Sequence, residues 1–323
     1  MIKFGIMGAG NIANKFCEAA KGIGVNLYAV ASRDIEKAEA FKNRNGIEKA
    51  YGSYTSMLED PLVDCVYIAT PHGLHYEHMM LALEHGKHIL CEKAFTLNEK
   101  QAKVVLDKAH TKDCFVMEAL WTRFLPTIRD VQALVLDGII GDVIKVEANF
   151  GFKASKDDDS RLFAPHLGGG ALLDIGIYPL TFADLFLGTP QKIESTVVYY
   201  HTGVDLSSEI TLSYPNATAH LKFSFDHNLP IEGFIRGTNG YIHMPMFIGA
   251  EHALIYNQNG ALIKEIKHPH DANGMEYEIL EVIKCIANGR KESYIMPHEK
   301  TLSLLNQMDQ LRKQWNLIYP QEK

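Results

Sequence analysis

A glycine-rich turn near the N-terminus constrains the fold of this chain more than any other feature. The turn, GAGNIA at Gly8–Ala13, follows an apolar segment and opens a helical pattern. Its glycines permit a tight turn and a close approach of the backbone to a pyrophosphate, and the small residue at its end lets helix and strand pack closely. The helix N-terminus then presents unpaired N–H groups to the phosphates. We predict dinucleotide binding here, with a ligand-free turn as the alternative; the predicted contacts are Gly8, Gly10, Asn11, Ile12 and Ala13.

Strand-like and helical patterns alternate through the N-terminal third of the chain. Segments such as Val63–Ala69 are nearly continuous apolar runs, which is typical of strands covered on both faces. This alternation predicts an α/β Rossmann domain with a parallel sheet over residues 1–120. The predicted strands are Ile2–Met7, Asn26–Ser32, Val63–Thr70, His88–Cys91 and Cys114–Leu120, and the predicted helices are Asn11–Lys21, Asp34–Asn43, Tyr76–His85 and Asn98–His110.

The pattern changes after Pro126. Strands dominate from residue 141 to residue 267, and Ala217–Phe225 alternates between apolar and polar side chains, as strands with one buried face do. Asn239-Gly240 predicts a hairpin turn, and helices over Met275–Ala287 and Pro297–Gln314 close the chain. We therefore predict a second domain over residues 121–323, an α+β fold with a large, mostly antiparallel, open-faced sheet.

Composition excludes several classes of partner. The chain has 323 residues and a formal net charge of -7, whereas nucleic-acid binders normally have a basic surface. No apolar run approaches the roughly 18 residues of a membrane span, and the first strand leaves no room for a signal peptide, so we expect a cytoplasmic protein. The five cysteines are widely spaced without a CxxC motif, which favours reduced, buried thiols.

The end of the second predicted strand bears on the choice of cofactor. NAD-binding Rossmann folds usually carry an acid there, whereas this chain has Ser32 and Arg33. A guanidinium at that position suits a 2′-phosphate, so we favour NADP over NAD. Asp34 keeps NAD open, because a shift of one residue would restore the acid, and Arg33 as a plain surface charge is a further alternative.

Polar residues follow two further strands of the predicted parallel sheet. Thr70, Pro71 and His75 come after one strand, and Glu92 and Lys93 after the next, at the edge where open α/β sheets bind ligands. We predict that all five contact the cofactor, and that Lys93 also reaches the substrate; a surface ion pair is the alternative for Glu92 and Lys93.

Three histidines at steps of three residues raise the possibility of a metal site. On a helix, residues His72 and His78 lie about 120° apart, so the three rings, with His75 between them, do not easily share one ion. We predict no metal.

A glycine run in the second domain opens an almost wholly apolar helix. Asp174 and Tyr178, four residues apart, are its polar exceptions on one face. Buried ionisable groups that face one direction usually have a partner or a chemical role, and a satisfied structural hydrogen bond is the alternative for both.

Together these motifs resemble the glucose–fructose oxidoreductase / inositol dehydrogenase (Gfo/Idh/MocA) family over essentially the whole chain. Glu118–Phe124 and Arg161–Phe163 resemble its dihydrodiol dehydrogenase branch, and Tyr178 also matches the glucose–fructose type. The other segments that carry the resemblance are Gly8–Ala13, Ala69–Pro71 with His75, Glu92–Lys93, Gly168–Tyr178, Gly237–Gly240, Gly289–Ser293 and Met296–Glu299.

The resemblance implies an NAD(P)-dependent dehydrogenase that acts on a sugar, a polyol or a cyclic trans-diol. It implies that Lys93, Asp174 and Tyr178 meet at the substrate, with either Tyr178 or Lys93 as the proton donor, and that the chain forms a homodimer or larger oligomer through the C-terminal sheet. The family's Glu-Lys-Pro motif is altered here, since Ala94 replaces the proline, and we expect Lys93 to be held less rigidly. A catalytically silent NAD(P)-binding regulator is the alternative function.

Further substrate contacts are predicted in the segments around these residues. Trp121, Arg123 and Phe150 are the predicted substrate-binding residues outside the catalytic group, and Phe124 and Phe152 are candidate pocket walls. Structural core is the alternative for the four aromatic residues.

Overall fold

The computed structural model describes residues 2–323, which form two compact units. The first unit comprises the chain up to Trp121 together with Asp271–Leu302, and the second comprises Thr122–His270 together with Ser303–Lys323. Each unit has its own sheet and its own buried core.

The sheet of the first unit has six parallel strands in the order β3-β2-β1-β4-β5-β6. The four central strands of this order are fully buried apart from the first residue of β5, which explains their continuous apolar sequences. The strands are β1 (Phe4–Met7), β2 (Leu27–Ala31), β3 (Lys49–Tyr51), β4 (Cys65–Ile68), β5 (His88–Glu92) and β6 (Val116–Ala119).

Helices cross between these strands and begin at recognisable capping residues. Asp34, Ser53 and Asn98 accept hydrogen bonds from first-turn amides of α2, α3 and α5. The helices of this unit are α1 (Asn11–Gly22), α2 (Ile35–Asn45), α3 (Tyr54–Leu58), α4 (His75–Glu84), α5 (Glu99–Thr111) and α8 (Glu276–Ala287), and α9 (His298–Gln314) begins here and continues into the second unit.

The sequence missed two short elements of the first unit, β3 and α3. Strand β3 has three residues, too few for an apolar period to be visible, and α3 has only five. The other predicted strands and helices of this unit are present, with ends that differ by up to two residues.

The sheet of the second unit has eight strands in the order β14-β13-β12-β11-β7-β10-β9-β8. Only β10 and β7 pair in parallel, so the predicted, mostly antiparallel sheet is confirmed. The strands are β7 (Val143–Gly151), β8 (Lys192–Tyr199), β9 (Asp205–Ser213), β10 (Thr218–Ser224), β11 (Leu229–Gly237), β12 (Gly240–Pro245), β13 (His252–Asn257) and β14 (Leu262–Lys267).

One strand of this sheet tests the predicted alternation directly. Ala219, Leu221 and Phe223 of β10 are buried, whereas His220 and Lys222 are exposed. Ser224 departs from the pattern: its side chain is buried because its hydroxyl accepts hydrogen bonds from the amides of Asp226 and His227 as the strand ends. The predicted hairpin at Asn239-Gly240 joins β11 to β12.

Two helices are specific to the second unit, α6 (Pro126–Leu136) and α7 (Ile177–Leu187). A π-helical segment, Leu172–Gly176, runs directly into α7 and is buried throughout. Within residues 2–323, one helical stretch, Pro165–Leu187, is long and apolar enough to span a membrane by composition, but 83% of its most apolar window is buried inside the protein. This burial is typical of a core helix, as the sequence predicted.

A buried carboxyl on α8 leads to a stability prediction. Glu278 is fully buried, and neither of its oxygens has a hydrogen-bond partner within the described chain. Burial, with Glu92 nearby, raises the pKa of Glu278 well above its ordinary value of 4.5. Because the folded state holds this proton more tightly than the unfolded state does, the stability it contributes is lost as the pH rises above about 4.5.

We therefore expect Glu278→Gln to stabilise the protein at pH 8 by roughly 1–3 kcal/mol and to have little effect at pH 4.5. Denaturant unfolding of both proteins at the two pH values measures this difference. An equal effect at both pH values would show that the pKa of Glu278 is the same in the folded and unfolded states.

Candidate functional site

The glycine turn has the geometry that a bound pyrophosphate requires. Gly8 has φ of 105°, in the left-handed region, and a Cβ there would lie 2.9 Å from the carbonyl oxygen of Ala69. Gly10 caps α1 without a side-chain hydrogen bond, and a Cβ placed on it would meet no atom within 4 Å. The first turn of α1 therefore presents its amides to open space at a helix N-terminus, an arrangement that fits phosphate oxygens.

The other predicted residues of this turn divide between core and surface. Ala13 is fully buried where α1 meets the sheet, as its small size predicted. Asn11 and Ile12 are exposed on the first turn of the helix. An exposed isoleucine beside open helix amides leaves an apolar surface for the cofactor to cover.

Asp34, which kept the choice of cofactor open, has a structural task. Its Oδ1 accepts hydrogen bonds from the amides of Glu36 and Lys37, at 3.0 and 3.3 Å, and so caps α2. Ser32 is buried, and its hydroxyl accepts from the amide of Asp34. Arg33 is exposed. Because Asp34 caps α2 and Ser32 is buried, the arrangement favours Arg33, rather than Asp34, as the residue that faces the ribose.

Two residues near Arg33 were not predicted as site residues. Tyr54 begins α3, and the ring of His78 lies edge-on to it with 4.8 Å between centroids. His78 also exchanges a 2.9 Å hydrogen bond with the hydroxyl of Thr70. Burial, and secondarily the charge of Arg33, lowers the pKa of His78 to about 4, so the ring is neutral at physiological pH. Little in the sequence pointed to either residue, because Tyr54 follows the unpredicted strand β3 and His78 was one of three similarly spaced histidines.

His75 is a structural link, and it is fully buried. Its ring nitrogens lie 2.7 Å from the carbonyl oxygen of Thr70 and 2.8 Å from that of Ala94. Burial lowers the pKa of His75 to about 4, so the ring is neutral and donates to only one of the two carbonyls at a time. It thereby connects the loop after β4, where Pro71 precedes a single 3-10 turn, with the segment that follows Lys93.

Hydrogen bonds hold the segment that follows Lys93. The amide of Phe95 donates to Oε1 of Glu118 at 3.0 Å, and the hydroxyl of Thr301 donates to Oε2 of the same carboxyl. Together with the contact of His75, these bonds hold both polar atoms of the peptide group between Ala94 and Phe95, although the motif proline is absent. The sequence could not predict this support, because Glu118 and Thr301 are distant along the chain.

Glu92 and Lys93 lie at the end of β5, as predicted. Glu92 is buried and accepts a hydrogen bond from the hydroxyl of Tyr67, whose ring stacks on Phe16 with 3.8 Å between centroids. Lys93 is half-buried. The acid therefore belongs to the interior of the first unit, while the lysine retains access to solvent.

In the second unit, Asp174 and Tyr178 occupy the buried helical stretch. Asp174 lies in the π-helical segment and accepts a 3.0 Å hydrogen bond from Arg161, whose side chain is more than half exposed. Tyr178 lies in the first turn of α7, and its ring is 5.8 Å from that of Phe150. Arg161 was not predicted as a site residue, although it stands in a segment that carried the family resemblance.

An aromatic group lies beside Tyr178. The Phe150 and Phe152 rings are 6.3 Å apart, and Phe152 is 5.2 Å from Phe225. Phe150 is the buried member of the predicted pair, and Phe152 is half-buried. These rings form an apolar wall next to the hydroxyl group of Tyr178. Such a wall suits a substrate that has both an apolar carbon surface and hydroxyl groups.

The three remaining predicted residues follow β6. Arg123 is buried and forms a 2.9 Å ion pair with the buried carboxylate of Asp184. Phe124 is buried as well, and Trp121 is half-buried. Their contact with a substrate stays a prediction, as does the meeting of Lys93 with Asp174 and Tyr178. Within residues 2–323, no group of three metal-ligating side chains is close enough to hold an ion.

Comparison with known proteins identifies two family domains. Residues 2–120 match the NAD-binding Rossmann fold of the GFO_IDH_MocA oxidoreductase family, and residues 128–243 match the GFO/IDH/MocA C-terminal domain.

Similar proteins match over nearly the full length of the chain. A trans-1,2-dihydrobenzene-1,2-diol dehydrogenase from Danio rerio is 34% identical over 99% of this chain and 99% of its own. A D-xylose 1-dehydrogenase (NADP(+)) from Hypocrea jecorina is 33% identical over 99% of this chain and 93% of its own. The crystal structure of a 3-ketoreductase from Actinomadura kijaniata, in complex with NADP and TDP-benzene, is 27% identical with a TM-score of 0.86, covering 97% of both chains.

The exposed guanidinium after β2 leads to a prediction about cofactor preference. We expect Arg33→Ala to weaken NADP binding roughly ten- to a hundredfold and to leave NAD binding nearly unchanged, because a charge-assisted hydrogen bond contributes about 1.5–3 kcal/mol. Titration of the purified protein with each cofactor measures both affinities. Arg44→Ala, an exposed position on α2, is the matched control. Equal weakening for the two cofactors would mean that Arg33 does not contact the 2′-phosphate.

Proposed function

This chain belongs to the GFO/IDH/MocA oxidoreductase family, and we propose that it is an NAD(P)-dependent dehydrogenase that acts on CH–OH groups. The observation that carries the proposal is the glycine turn, whose open helix N-terminus fits a dinucleotide, in a chain that also holds Lys93, Asp174 and Tyr178. Bound nicotinamide would donate or accept the hydride, and the protein would supply orientation and proton transfer.

We propose a sugar, a polyol or a cyclic trans-diol as the substrate. The relatives that match along nearly the whole chain are named for a dihydrobenzene diol and for D-xylose, and the solved relative is a ketoreductase with bound NADP. The aromatic rings beside Tyr178 and the polar pair of Asp174 and Arg161 match a small ring that carries hydroxyl groups.

We assign the two halves of the reaction to the two parts of the chain. Residues 1–120 would bind NADP, with NAD as the weaker choice, and residues 121–323 would bind the substrate and form the oligomer. The capping role of Asp34 supports NADP, because it leaves Arg33 as the polar group at the end of β2.

Tyr178 is the proposed proton donor during carbonyl reduction. The carbonyl oxygen gains negative charge as the hydride arrives, so it requires a donor, and the phenol is suited to that task. Lys93 would stabilise the phenolate electrostatically, which moves the pKa of a tyrosine toward working pH. The competing assignment is that Lys93 itself donates the proton. Asp174, with Arg161, would orient the substrate hydroxyl.

A substrate screen tests the proposed function. The purified protein is incubated with NADP or NAD and with aldoses, inositols and dihydrodiols in parallel, and reduced nicotinamide is followed by absorbance. Cofactor binding without turnover of any substrate would instead indicate a catalytically silent regulator.

We expect Tyr178→Phe to lower the rate of hydride transfer by about 10²–10⁴-fold with cofactor affinity intact. Lys93→Met should lower it at least as much, because it removes the charge that stabilises the phenolate. Single-turnover kinetics of both variants, with folding checked by thermal melting, measures the effect. A folded Tyr178→Phe protein with a near-normal rate would transfer the proposed role to Lys93.

We also propose a cytoplasmic location and self-association. All five cysteines are free and buried, which suits a reducing compartment. The exposed face of the second sheet carries stacked ring pairs, Tyr241 with Tyr256 and Phe234 with His243. Aromatic pairs on an open sheet face are typical of a surface that another subunit covers.

Light scattering over a wide concentration range should therefore give a homodimer or larger oligomer. We expect Val198→Glu, a half-exposed position on β8 of this face, to shift the protein toward monomer by burying a charge at the interface. Leu136→Glu on α6, which is 87% exposed, is the control and should leave the assembly unchanged. A wild-type protein that stays monomeric throughout would contradict the proposal.

A further inference from the structure

A buried acid in the second unit contacts the helical stretch that carries Asp174 and Tyr178. Asp205, the first residue of β9, is fully buried, and its Oδ2 accepts a 2.6 Å hydrogen bond from the amide of Leu172. Its Oδ1 has no hydrogen-bond partner among the described residues. Leu172 begins the π-helical segment, two residues before Asp174 and six before Tyr178. Asp205 therefore holds this stretch at its first turn.

The backbone just before the segment is shaped around this carboxyl. Gly170 has φ of 117°, in the left-handed region, and a Cβ there would lie 2.3 Å from Oδ1 of Asp205. The carbonyl of Gly169 accepts a 2.7 Å hydrogen bond from the hydroxyl of Tyr319, which is also buried. The approach to the segment is thus fixed from two sides, by β9 and by the C-terminal residues.

The charged groups around Asp205 do not neutralise it directly. Arg312 of α9 lies over the ring of Tyr319 and donates to both carboxylate oxygens of Glu322 and to Asp309. Arg312 and the amides of Ala171 and Leu172 favour the ionised form of Asp205, but burial outweighs them and raises its pKa from 3.8 to about 7. Arg312 and Tyr319 are the titratable groups that interact with Asp205 from the packed elements, and Glu322 interacts with Tyr319.

This balance fixes the direction of any response to pH. A carboxyl that holds its proton more tightly in the folded arrangement than in an opened one stabilises the folded arrangement below about pH 4. That stabilisation is lost as the pH rises toward about 7, where the buried group must ionise or the segment must open to solvate it. Protonated Asp205 still accepts from Leu172 and places no net charge in the core.

We propose that Asp205 is a positioning residue for the substrate side of the active site. With its proton, Asp205 holds the start of the π-helical segment in place; without it, the segment loosens, and Asp174 and Tyr178 are presented less firmly. The inference rests on the proposed function only in assigning a catalytic consequence to this movement. Asp205 touches neither reacting group and acts through the backbone of Leu172.

Amide hydrogen exchange tests the structural half without a substrate. After correction for the intrinsic effect of pH, protection of peptides that span residues 169–174 should fall at least about tenfold in the wild-type protein between pH 5.5 and pH 8.5. Asp205→Asn, which keeps an acceptor for Leu172 but cannot ionise, should hold its protection constant. Wild-type protection that does not change with pH would overturn the proposal, even if the variant fails to fold.

Single-turnover kinetics tests the catalytic half. The ratio of the hydride-transfer rate of Asp205→Asn to that of the wild type should rise at least about threefold from pH 5.5 to pH 8.5. Asp142→Asn, at an exposed turn of the same unit, should give a flat ratio. A flat ratio for Asp205→Asn, whether or not its rate is reduced overall, would reduce Asp205 to a passive cap and overturn the proposal. If no substrate is turned over, the proposed function fails, and hydrogen exchange alone decides whether Asp205 controls the segment.

Discussion

The pairing of β1 with β2 on one side and β4 on the other is the interaction on which the first unit depends. The register of β1 with β2 shifts once, between Phe4 and Gly5, but at the end of the strands Met7 lies opposite both Ala31 and Ile68. The amide of Gly8 then reaches the carbonyl of Ala31 at 3.0 Å, so the turn starts at the point where the neighbouring strand ends. Because parallel strands end at one edge, the residues after each of them gather there, and the N-terminus of α1 is directed to the same edge.

In the second unit, the main constraint is that ionisable groups are buried within and beside an apolar helix. Asp174 has Arg161, and Arg123 has Asp184, so each buried charge has a partner of opposite sign. Asp205 is the exception, since it forms no ion pair among the described residues: backbone amides and the charge of Arg312 favour its ionised form, but burial outweighs them. Unpaired buried charge is costly, and such groups are where a protein's structure becomes sensitive to its surroundings.

The sequence predicted the fold well because its strongest signals are local. Continuous apolar strands, the alternation in β10 and the Asn239-Gly240 hairpin each depend on a few neighbouring residues, and each is present. Apart from the short elements β3 and α3, what the sequence missed depends on partners far apart in the chain. Glu118 and Thr301 support the segment after Lys93, and Asp205 accepts a hydrogen bond from Leu172. No local sequence pattern predicts these hydrogen bonds. Asp34 could be assigned only once its capping hydrogen bonds were visible.

The return of residues 271–302 to the first unit has a consequence for how the protein is made. Asn273 donates to the carbonyl of Lys15 on α1, and Lys291 accepts from the amide of Val116 in β6, so these residues complete the N-terminal unit. During synthesis the first 120 residues emerge long before these partners do. The first unit therefore stays incomplete until the whole second sheet has been translated. A fragment that ends near residue 120 would expose surface that α8 normally covers, and we expect such a fragment to aggregate rather than to serve as an independent cofactor-binding module.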